Sequence, residues 1–518
     1  KIIKMKKLKL VCVAIAMAGA APTFAGGLLT NTNQHVAFNR MMSREASIGI
    51  DGVYYNPAGV VFMGDGHHLA INWQLAYQTR TINNDYSLFT NNVNNSITPR
   101  DFKGKAFAPV IPSFQYAYNK GKWSFQANFA LTGGGGKCTF DDGLGSFEKI
   151  VSETAIAACQ LAGAVDQVAG AYTVPAIFSS NQCFGTEGKY SFNSYMHGRQ
   201  YYYGLSVGAA YKFCNNFSAF LGVRGVYALT NYYGYVENIN VGNMPLYKVL
   251  DPSKETAANI ELSCDQSGVG FTPIIGVDYK TGRWNFSAKY EFKTRVRLKN
   301  KSVNQIPSIG NLPDNLRNAY IANGVSEEKA NAILNNPNIQ GAMGMLKSQF
   351  DSKIDEAIGE YEDGKKIAGD IPAYLALGIG YSPIDAVRVN VGFHWFDDKN
   401  ATSYNNRQEK LKRGTLEYNA GVEVDVNKKI TLSTGWQNTN YGLSEDYMDD
   451  KSFVVSSNSA AIGGVYHINK KMDLNVAYFH TFYQHKKTSE TVKQTGKDYT
   501  SDYTRNNNVF AVGLDINF

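Results

Sequence analysis

Apolar and polar residues alternate along most of the chain with the period of two that β-strands impose. In the clearest stretch, the even positions from Trp284 to Phe292 are apolar, and Val296 and Leu298 continue the series. The residues between them are polar and include five cations: Lys289, Lys293, Arg295, Arg297 and Lys299. Successive side chains of a strand point to opposite faces, so this stretch predicts one apolar and one charged face.

The length and charge of these runs favour the wall of a membrane barrel. Several runs exceed ten residues, whereas strands of soluble proteins average about five or six. The cations of 284–299 could not be buried in a dry core without a large free-energy cost. In a barrel, the apolar face contacts lipid and the charged face lines a wet lumen. The pattern therefore predicts an all-β fold, a transmembrane antiparallel β-barrel.

The alternation picks out about 14 segments, and bacterial barrels have an even number of strands. The predicted strands are 68–80, 107–118, 122–132, 199–213, 216–232, 268–280, 283–300, 370–381, 386–397, 413–426, 429–440, 458–468, 471–484 and 507–518. The last of them alternates from Phe510 to Phe518, as the closing strands of outer-membrane barrels do.

The connections between the segments alternate strictly between short and long. The short ones have two to four residues, as in Asn215-Asn216 and Thr281-Gly282. The long ones are 81–106, 133–198, 233–267, 301–369, 398–412, 441–457 and 485–506. Short periplasmic turns and long external loops are typical of bacterial barrels, whereas a β-sandwich has no reason to produce this alternation. We therefore expect a barrel domain over 67–518 in the outer membrane of a Gram-negative bacterium.

The first 25 residues have the composition of a secretory signal peptide. Five lysines precede the apolar run Leu10 to Ala18, and Thr23-Phe24-Ala25 ends it with a cleavage site. The alternative, a transmembrane anchor, requires a longer apolar run. Removing 1–25 takes away five of 51 basic residues and none of the 44 acids, so the net charge falls from +7 to +2. The mature charge gives no support for nucleic-acid binding.

Two long loops, about 133–198 and 301–369, carry helical patterns. Residues 314–360 have apolar residues at helical spacing, and Ser326 precedes Glu327 and Glu328 as a helix start. Residues 154–170 are rich in Ala. Two interpretations stay open: the helices cover the barrel mouth, or their apolar faces gather a ligand outside the cell.

Residues 26–66 precede the first strand and do not alternate. They are too aromatic and too weakly charged for a free tail. A barrel of about 14 strands encloses a lumen wide enough to need blocking unless the protein is an open porin. We therefore expect this segment to lie inside the barrel as a plug.

The plug segment contains Asn56, Pro57, Ala58 and Gly59, preceded by the stretch Ala46 to Gly52. It resembles the Asn-Pro-Ala motif of the N-terminal hatch in the FadL/TodX family of outer-membrane transporters for hydrophobic compounds. The resemblance implies a monomeric, 14-stranded barrel for passive, gated uptake, with long-chain fatty acids as the first ligand to consider. It further implies capture at external loops, a site in the lumen, hatch movement, and lateral release through a gap at a kinked third strand.

The third predicted strand runs into Gly133, Gly134, Gly135 and Gly136, and glycines suit a break in a strand. The alternative is a flexible exit into a loop. The cations Lys289, Lys293, Arg295 and Arg297 are candidates for binding a ligand carboxylate. They are equally candidates for lumen charges that pair with Glu291 and its neighbours.

The remaining chemistry of the sequence is sparse. Four cysteines are predicted in external loops, where an oxidising compartment permits two disulfides in any of three pairings: Cys138, Cys159, Cys183 and Cys264. The spacing of Cys and His predicts no metal site, and we expect no cofactor. The sequence lacks the Gly-X-Ser-X-Gly elbow of serine hydrolases, so we expect no enzyme.

The expected partners are a hydrophobic small molecule and membrane lipid or detergent, with no nucleic acid. A non-specific porin, a haem receptor using His67 and His68, and a surface adhesin are the alternatives.

Overall fold

The computed structural model describes residues 29–31, 33–493 and 495–518. The predicted signal peptide, 1–25, lies outside the described residues. The described chain forms one antiparallel sheet of 18 segments. Three of the barrel strands consist of two segments each, and one further segment, Met244–Pro245, only extends a hairpin. The 18 segments therefore build 14 barrel strands.

The barrel strands, in chain order, are β1 Gly66–Tyr86, β2 Arg100–Lys120, β3 Trp123–Phe140, β4 Tyr190–Lys212, β5 Phe217–Val241, β6 Ile260–Thr281, β7 Trp284–Glu291 with Arg297–Gln305, β8 Lys366–Ala368 with Tyr374–Ile384, β9 Val387–Phe396, β10 Arg413–Asn427, β11 Ile430–Gly442, β12 Ser457–Asn469, β13 Met472–Tyr483 with Lys486–Val492, and β14 Lys497–Asn517. The sheet closes because β14 pairs with β1 from His68↔Asn517 to Tyr86↔Tyr499. A closed sheet has no edge strand, so every strand has a neighbouring strand on both sides. The predicted strand number is confirmed.

The two faces of the wall have opposite chemistry. Large apolar side chains are exposed on the outside, among them Trp73, Phe125, Leu221, Phe286, Leu432, Ile462 and Phe510. The buried inner face is polar and includes Asn72, Gln126, Arg224, Asp278, Glu291, His394, Glu417, Glu423 and Asn475. An exposed apolar belt around a polar interior is the arrangement of an outer-membrane barrel.

The strands are longer than predicted because they continue past the membrane. β5 has 25 residues, whereas a strand crosses the bilayer in about 9–11 residues. In the upper half of β14, Tyr499 and Tyr503 point inward and are buried, while Asp498 and Asp502 lie on the other face. The chemistry of the two faces is thus exchanged above the membrane, so a search for apolar outer faces misses these extensions.

β7 contains a break that reverses its faces. Trp284 and Phe286 point outward, and Lys289 and Glu291 point inward. The register with β6 then shifts by one residue between the two pieces of β7, from Ile274↔Glu291 to Ser267↔Lys299. A one-residue shift moves every later side chain to the opposite face. The prediction of one uninterrupted strand over 283–300 is therefore wrong.

Helices cover the extracellular end. They are α3 Gly145–Gly170, α4 Tyr247–Leu250, α5 Leu312–Ala322, α6 Glu327–Leu334 and α7 Pro337–Ile358, with the 3-10 turns Ser87–Asn91, Asp398–Asn400 and Tyr404–Lys410 beside them. Their apolar faces are packed into one cluster with the upper strands, through Val151, Val165, Tyr320 and Ile333 among others. This packing supports the interpretation that the helices cap the mouth. Within the described residues, none of the helices combines the length and apolarity needed to cross a bilayer.

Candidate functional site

An N-terminal segment, residues 33–63, contacts the polar inner face of the barrel. It contains α1 Val36–Met41, α2 Gly52–Tyr55 and the 3-10 turn Gly59–Phe62. Its side chains bond to several strands of the wall. Asn39 Nδ2 donates to Gln74 Oε1 of β1 at 2.7 Å, and Arg40 Nε donates to Asn475 Oδ1 of β13 at 3.2 Å. The segment is buried although it carries many polar groups, because the strands around it supply their partners.

The residues of the predicted hatch motif attach the segment to three strands. Asn56 Nδ2 donates to Asp278 Oδ2 of β6 at 2.6 Å. The carbonyl oxygens of Pro57 and Ala58 accept from Gln126 of β3 and Ser218 of β5, both at 2.7 Å. Gly59 N donates to Asn56 Oδ1, and a Cβ on Gly59 would approach Asn56 Nδ2 to 2.4 Å. A larger residue would therefore disturb the attachment at Asn56.

Buried ion pairs fix the opposite side of the segment. Arg44 binds Asp51 through two nitrogens, at 2.7 and 3.1 Å, and reaches Glu423 of β10 at 3.2 Å. Arg40 also pairs with Glu423. Burial raises the pKa of the Asp51 carboxyl, but the adjacent Arg44 guanidinium outweighs burial and holds that pKa below its usual range. Removing one partner of such a network would leave a buried charge uncompensated.

A second network joins the segment to the wall through a histidine. His394 Nε2 lies 2.7 Å from Glu45 Oε1 of the segment, and His394 Nδ1 lies 2.8 Å from Glu417 Oε2. Sequence reasoning missed Glu45, Glu417 and His394, because only closure of the barrel brings 45 beside 394. The one local signal is the density of charged residues in the short stretch Arg40 to Asp51.

The four predicted carboxylate-binding cations are not brought together. Lys289 Nζ is buried and donates to Glu291 Oε1 at 2.9 Å and to the Tyr54 carbonyl at 2.7 Å, so it binds the N-terminal segment. Lys293 Nζ donates to the Asn400 carbonyl at 2.9 Å. Arg295 and Arg297 are exposed on the outer surface, because they follow the break in β7. These four cations therefore do not share one site, and Lys289 has the alternative role of a lumen charge that pairs with Glu291.

The predicted glycines lie at a gap in the wall between β2 and β3. These strands pair from Lys120↔Trp123 to Ser113↔Ala130 and again from Ala106↔Cys138 to Gly104↔Phe140, but 107–112 and 131–137 are not paired. The register of β3 with β4 also shifts twice, between Leu131 and Gly133 and between Gly134 and Gly136. Gly134 and Gly136 have φ of 89° and 87°, values that glycine adopts without strain. The backbone of Gly133 to Gly136 thus bends β3 away from β2.

The gap is connected to a cavity of about 470 Å³ inside the barrel. Asn31 and Asn33 lie at its base, 452–454 line it from an external loop, and both sides of the gap contribute to its wall. Many lining side chains are apolar, including Ile111, Leu131, Phe140, Met196, Phe453 and Phe479. Gln34 of the N-terminal segment donates to the Leu131 carbonyl at 2.7 Å, so the segment bonds directly to the strand at the gap.

Two arginines line this cavity side by side. Arg80 of β1 and Arg505 of β14 are directly opposite in the register. Both donate to Gln78 Oε1, Arg80 Nε at 3.1 Å and Arg505 Nη2 at 2.6 Å. The Nε of Arg505 is buried without a hydrogen-bond partner, and neither arginine forms an ion pair with a carboxylate of the described residues. Two adjacent guanidinium groups that share one neutral oxygen form a site suited to an anion.

The cysteines do not form the predicted disulfides in this structure. All five cysteines of the described chain are free thiols. Cys138 and Cys264 belong to β3 and β6 rather than to loops, and β4 and β5 separate those strands. Cys159 Sγ donates to the Phe184 carbonyl, and Cys183 contacts the Met244 sulfur. Burial raises the pKa of Cys183 to about 11, so this thiol stays protonated at neutral pH.

Comparison with known proteins gives matches in structure alone: no family model matches the sequence, and no curated protein does. The chain is similar to a FadL homologue from Pseudomonas aeruginosa, with a TM-score of 0.60 and 13% identity over 95% of this chain and 100% of that chain. It is also similar to the toluene transporter TodX of P. putida, with a TM-score of 0.50 and 13% identity over 91% and 94% of the two chains. A deltaS2 mutant of the monoaromatic hydrocarbon channel TodX has a TM-score of 0.51 and 14% identity over 94% and 100%. The chain therefore has the fold of the FadL/TodX family, and it is a barrel of the Gram-negative outer membrane.

Proposed function

We propose that the protein is a gated channel for passive uptake of hydrophobic compounds across the outer membrane, with long-chain fatty acids as its first ligand. The observation that carries the proposal is the cavity that extends from the Arg80–Arg505 pair to the gap between β2 and β3. The arginines supply a site for the carboxylate, and the apolar lining supplies a site for the acyl chain. The gap offers a path from this cavity into the lipid without passage through water.

The N-terminal segment acts as the hatch in this proposal. It fills the lumen between the cavity and the periplasmic turns. This position supports lateral release of the ligand into the membrane in preference to release through an aqueous path. Its bond from Gln34 to the Leu131 carbonyl provides a physical link between hatch position and the gap. The Asn56 to Gly59 motif and the Arg40–Glu423 pair hold the rest of the segment, so only its first residues need to move for release.

Capture of ligand at the external loops stays a prediction. Among the described residues, the apolar faces of the external helices are buried against one another, and the exposed apolar residues of that region include Val93, Ile97, Val303, Ile306 and Ile321. A haem receptor lacks support from His67 and His68. His67 Nδ1 lies 2.7 Å from the Tyr116 hydroxyl, and His68 Nδ1 lies 2.6 Å from Asn517 Oδ1, at the periplasmic end of β1.

The test separates the carboxylate site from general permeability. Binding of oleate and of methyl oleate to the purified protein would be compared for the wild type and for the Arg80→Gln, Arg505→Gln double variant. We expect the double variant to bind oleate at least about tenfold more weakly, because a hydrogen bond to a charged group contributes roughly 1.5–3 kcal/mol. Methyl oleate, which lacks the charge, should bind both proteins equally. Arg283→Gln, at an exposed periplasmic turn, is the matched control.

Uptake in cells tests the channel itself. A strain that carries this protein as its sole fatty-acid channel should take up labelled oleate above background. If the strain takes up toluene but not oleate, the ligand is an aromatic hydrocarbon instead of a fatty acid. Uptake of neither compound would reject the channel. Equal oleate affinity of the double variant and the wild type would reject the arginine site.

A further inference from the structure

The break in β7 places a row of cations on the outside of the barrel. Arg297, Lys299 and Lys301 are exposed on one face of the strand, Arg295 is exposed in the break itself, and Lys366 of β8 is exposed beside them. These five residues are called the basic strip. They lie at the external end of the barrel, because β7 continues into the long loop that contains α5, α6 and α7.

The strip begins where the apolar belt ends. On β6, Val269 and Phe271 are outward and are 63% and 70% exposed, as expected of side chains that contact lipid. The next outward residues toward the cell exterior are Ser267 and Asp265, which are opposite Lys299 and Lys301 in the register. Arg297 follows the same face below Lys299. The strip is therefore at the height where acyl chains give way to headgroups.

The charges of the strip are poorly compensated within the protein. Arg297 donates to the buried Asp370 at 2.5 Å, and Asp265, opposite Lys301, accepts from Asn231. Arg295, Lys299 and Lys366 form no ion pair among the described residues. Lys299 and Lys366 are directly opposite each other across β7 and β8. Like charges at directly opposite positions destabilise a sheet, so a bound anion would relieve a real cost.

The same arrangement recurs elsewhere on the outer surface at the external end. Lys137 of β3 and Arg199 of β4 are exposed and directly opposite in the register. Two such like-charge pairs on one membrane boundary indicate a common anionic surface around the barrel rather than a local accident of sequence.

We propose that the basic strip binds the phosphate groups of lipopolysaccharide in the outer leaflet. The headgroup of this glycolipid bears phosphates at the boundary between sugar and acyl chains, which is the height of the strip. Arginine and lysine bind phosphate through charge-assisted hydrogen bonds, and basic clusters beside a membrane bind anionic lipid. Val269 and Phe271 provide the adjoining contact surface for acyl chains.

The test compares two triple variants that remove equal charge from opposite ends of the barrel. Arg295→Ser, Lys299→Ser, Lys366→Ser removes most of the strip. Lys428→Ser, Lys429→Ser, Lys470→Ser removes three exposed lysines from periplasmic turns and is the matched control. Native mass spectrometry of the purified, detergent-solubilised full chain would measure binding of deep-rough lipopolysaccharide, of the same lipid after dephosphorylation, and of phosphatidylglycerol. Heat-modifiable migration on gels would show that both variants are folded.

We expect the strip variant to bind the phosphorylated lipopolysaccharide at least about tenfold more weakly than the wild type, since three of the cations that attract the anionic phosphates are removed. The control should bind as the wild type does, and dephosphorylated lipid should bind weakly to all three proteins. Equal affinities of the strip variant and the control would overturn the proposal. Binding of phosphatidylglycerol as tight as that of lipopolysaccharide, or no effect of dephosphorylation, would overturn it as well.

Discussion

Arg80 and Arg505 differ from the other buried charges of the lumen in what surrounds them. Arg224 binds both oxygens of Glu291, at 2.6 and 2.9 Å, and Arg44 binds both oxygens of Asp51. Those pairs hold structure together and leave no guanidinium surface for a ligand. The Arg80–Arg505 pair instead shares the amide oxygen of Gln78, and Arg505 Nη1 also donates to the Phe453 carbonyl at 3.4 Å. This difference in partners is the reason why we propose Arg80 and Arg505, and not the paired arginines, as a ligand site.

A buried carboxyl in the external cap should make the cap sensitive to alkaline pH. Glu360 is buried, its Oε1 has no hydrogen-bond partner, and burial raises its pKa to about 8 despite the charges of Lys451 and Arg407. The unfolded value is about 4.3, so the folded cap binds the proton more tightly. Its contribution to stability is present below pH of about 4 and is lost as pH rises to about 8.

Limited proteolysis of the loop 306–365 at pH 5 and pH 9 would measure this effect. We expect faster cleavage of the wild type at pH 9, and a smaller difference between the two pH values for Glu360→Gln. Glu362→Gln, two residues away with its side chain 70% exposed, should behave as the wild type. A Glu360→Gln variant with the full wild-type pH dependence would contradict the assignment.

The attachment of the hatch motif can be tested at the hydrogen bond between Asn56 and Asp278. Asn56→Asp would replace the donor amide by a carboxylate facing Asp278, and two buried carboxylates at 2.6 Å cannot both be ionised. We expect the N-terminal segment to loosen, at a cost of roughly 1–3 kcal/mol for the lost buried hydrogen bond. Planar-bilayer recordings should show brief openings that the wild type lacks. Asn216→Asp, at an exposed periplasmic turn, should stay closed; identical traces for both variants would exclude an anchoring role of Asn56.

At the scale of elements, strand β3 is regular in its lower part and irregular in its upper part. Its lower part pairs regularly with β2 and β4, while 131–137 has lost pairing with β2 and gained two register shifts against β4. The strand can bend because Gly134 and Gly136 adopt positive φ, and the polar backbone at the gap is partly satisfied by Gln34. The gap is therefore formed by the backbone conformation of β3 itself.

Filling this gap should slow transport without opening the barrel. A Cβ on Gly136 would lie 3.5 Å from the Ala108 Cβ, across the gap on β2. Gly136→Val would extend branched methyl groups into that space, and we expect oleate uptake to fall by about tenfold or more as the lateral path narrows. Gly282→Val has the same positive-φ strain at a periplasmic turn, where a Cβ would meet nothing within 4 Å. Uptake reduced equally by both substitutions would indicate a general loss of folded protein instead of a blocked path.

At the scale of the whole molecule, the barrel is built in two layers of opposite polarity. The membrane layer has an apolar exterior and a polar lumen that is matched by the N-terminal segment. The external layer has a polar exterior and an apolar interior that is filled by the capping helices. Closing both ends in this way leaves the cavity between them, beside the β2–β3 gap.

Removing the N-terminal segment should convert the closed barrel into an ion-conducting one. The lumen side chains that the segment contacts are polar, so water and ions would replace it. We expect a variant lacking 33–63 to show a stable conductance in planar bilayers at neutral pH and a lower thermal stability than the full chain. A deletion variant that folds and stays as closed as the wild type would contradict the role of this segment as a hatch.

The sequence by itself determined the number and order of the strands, which ends of the hairpins face the periplasm, and the existence of a separate segment before the barrel. These features follow from local alternation and from the length of each connection, because neighbouring strands pair in chain order. The Asn56 to Gly59 motif and the glycines of β3 were likewise visible, although their contacts were not.

Only the tertiary structure decided which charged groups meet. Arg80 and Arg505 become neighbours because β14 closes on β1, a contact between the two ends of the chain. The outward turn of Arg295 and Arg297 was invisible for a different reason. Val296 and Leu298 remain apolar through the break in β7, since they exchange lipid outside for the apolar cluster inside the external layer. The reversal of the strand and the reversal of its surroundings cancel in the sequence pattern, so alternation alone could not reveal either.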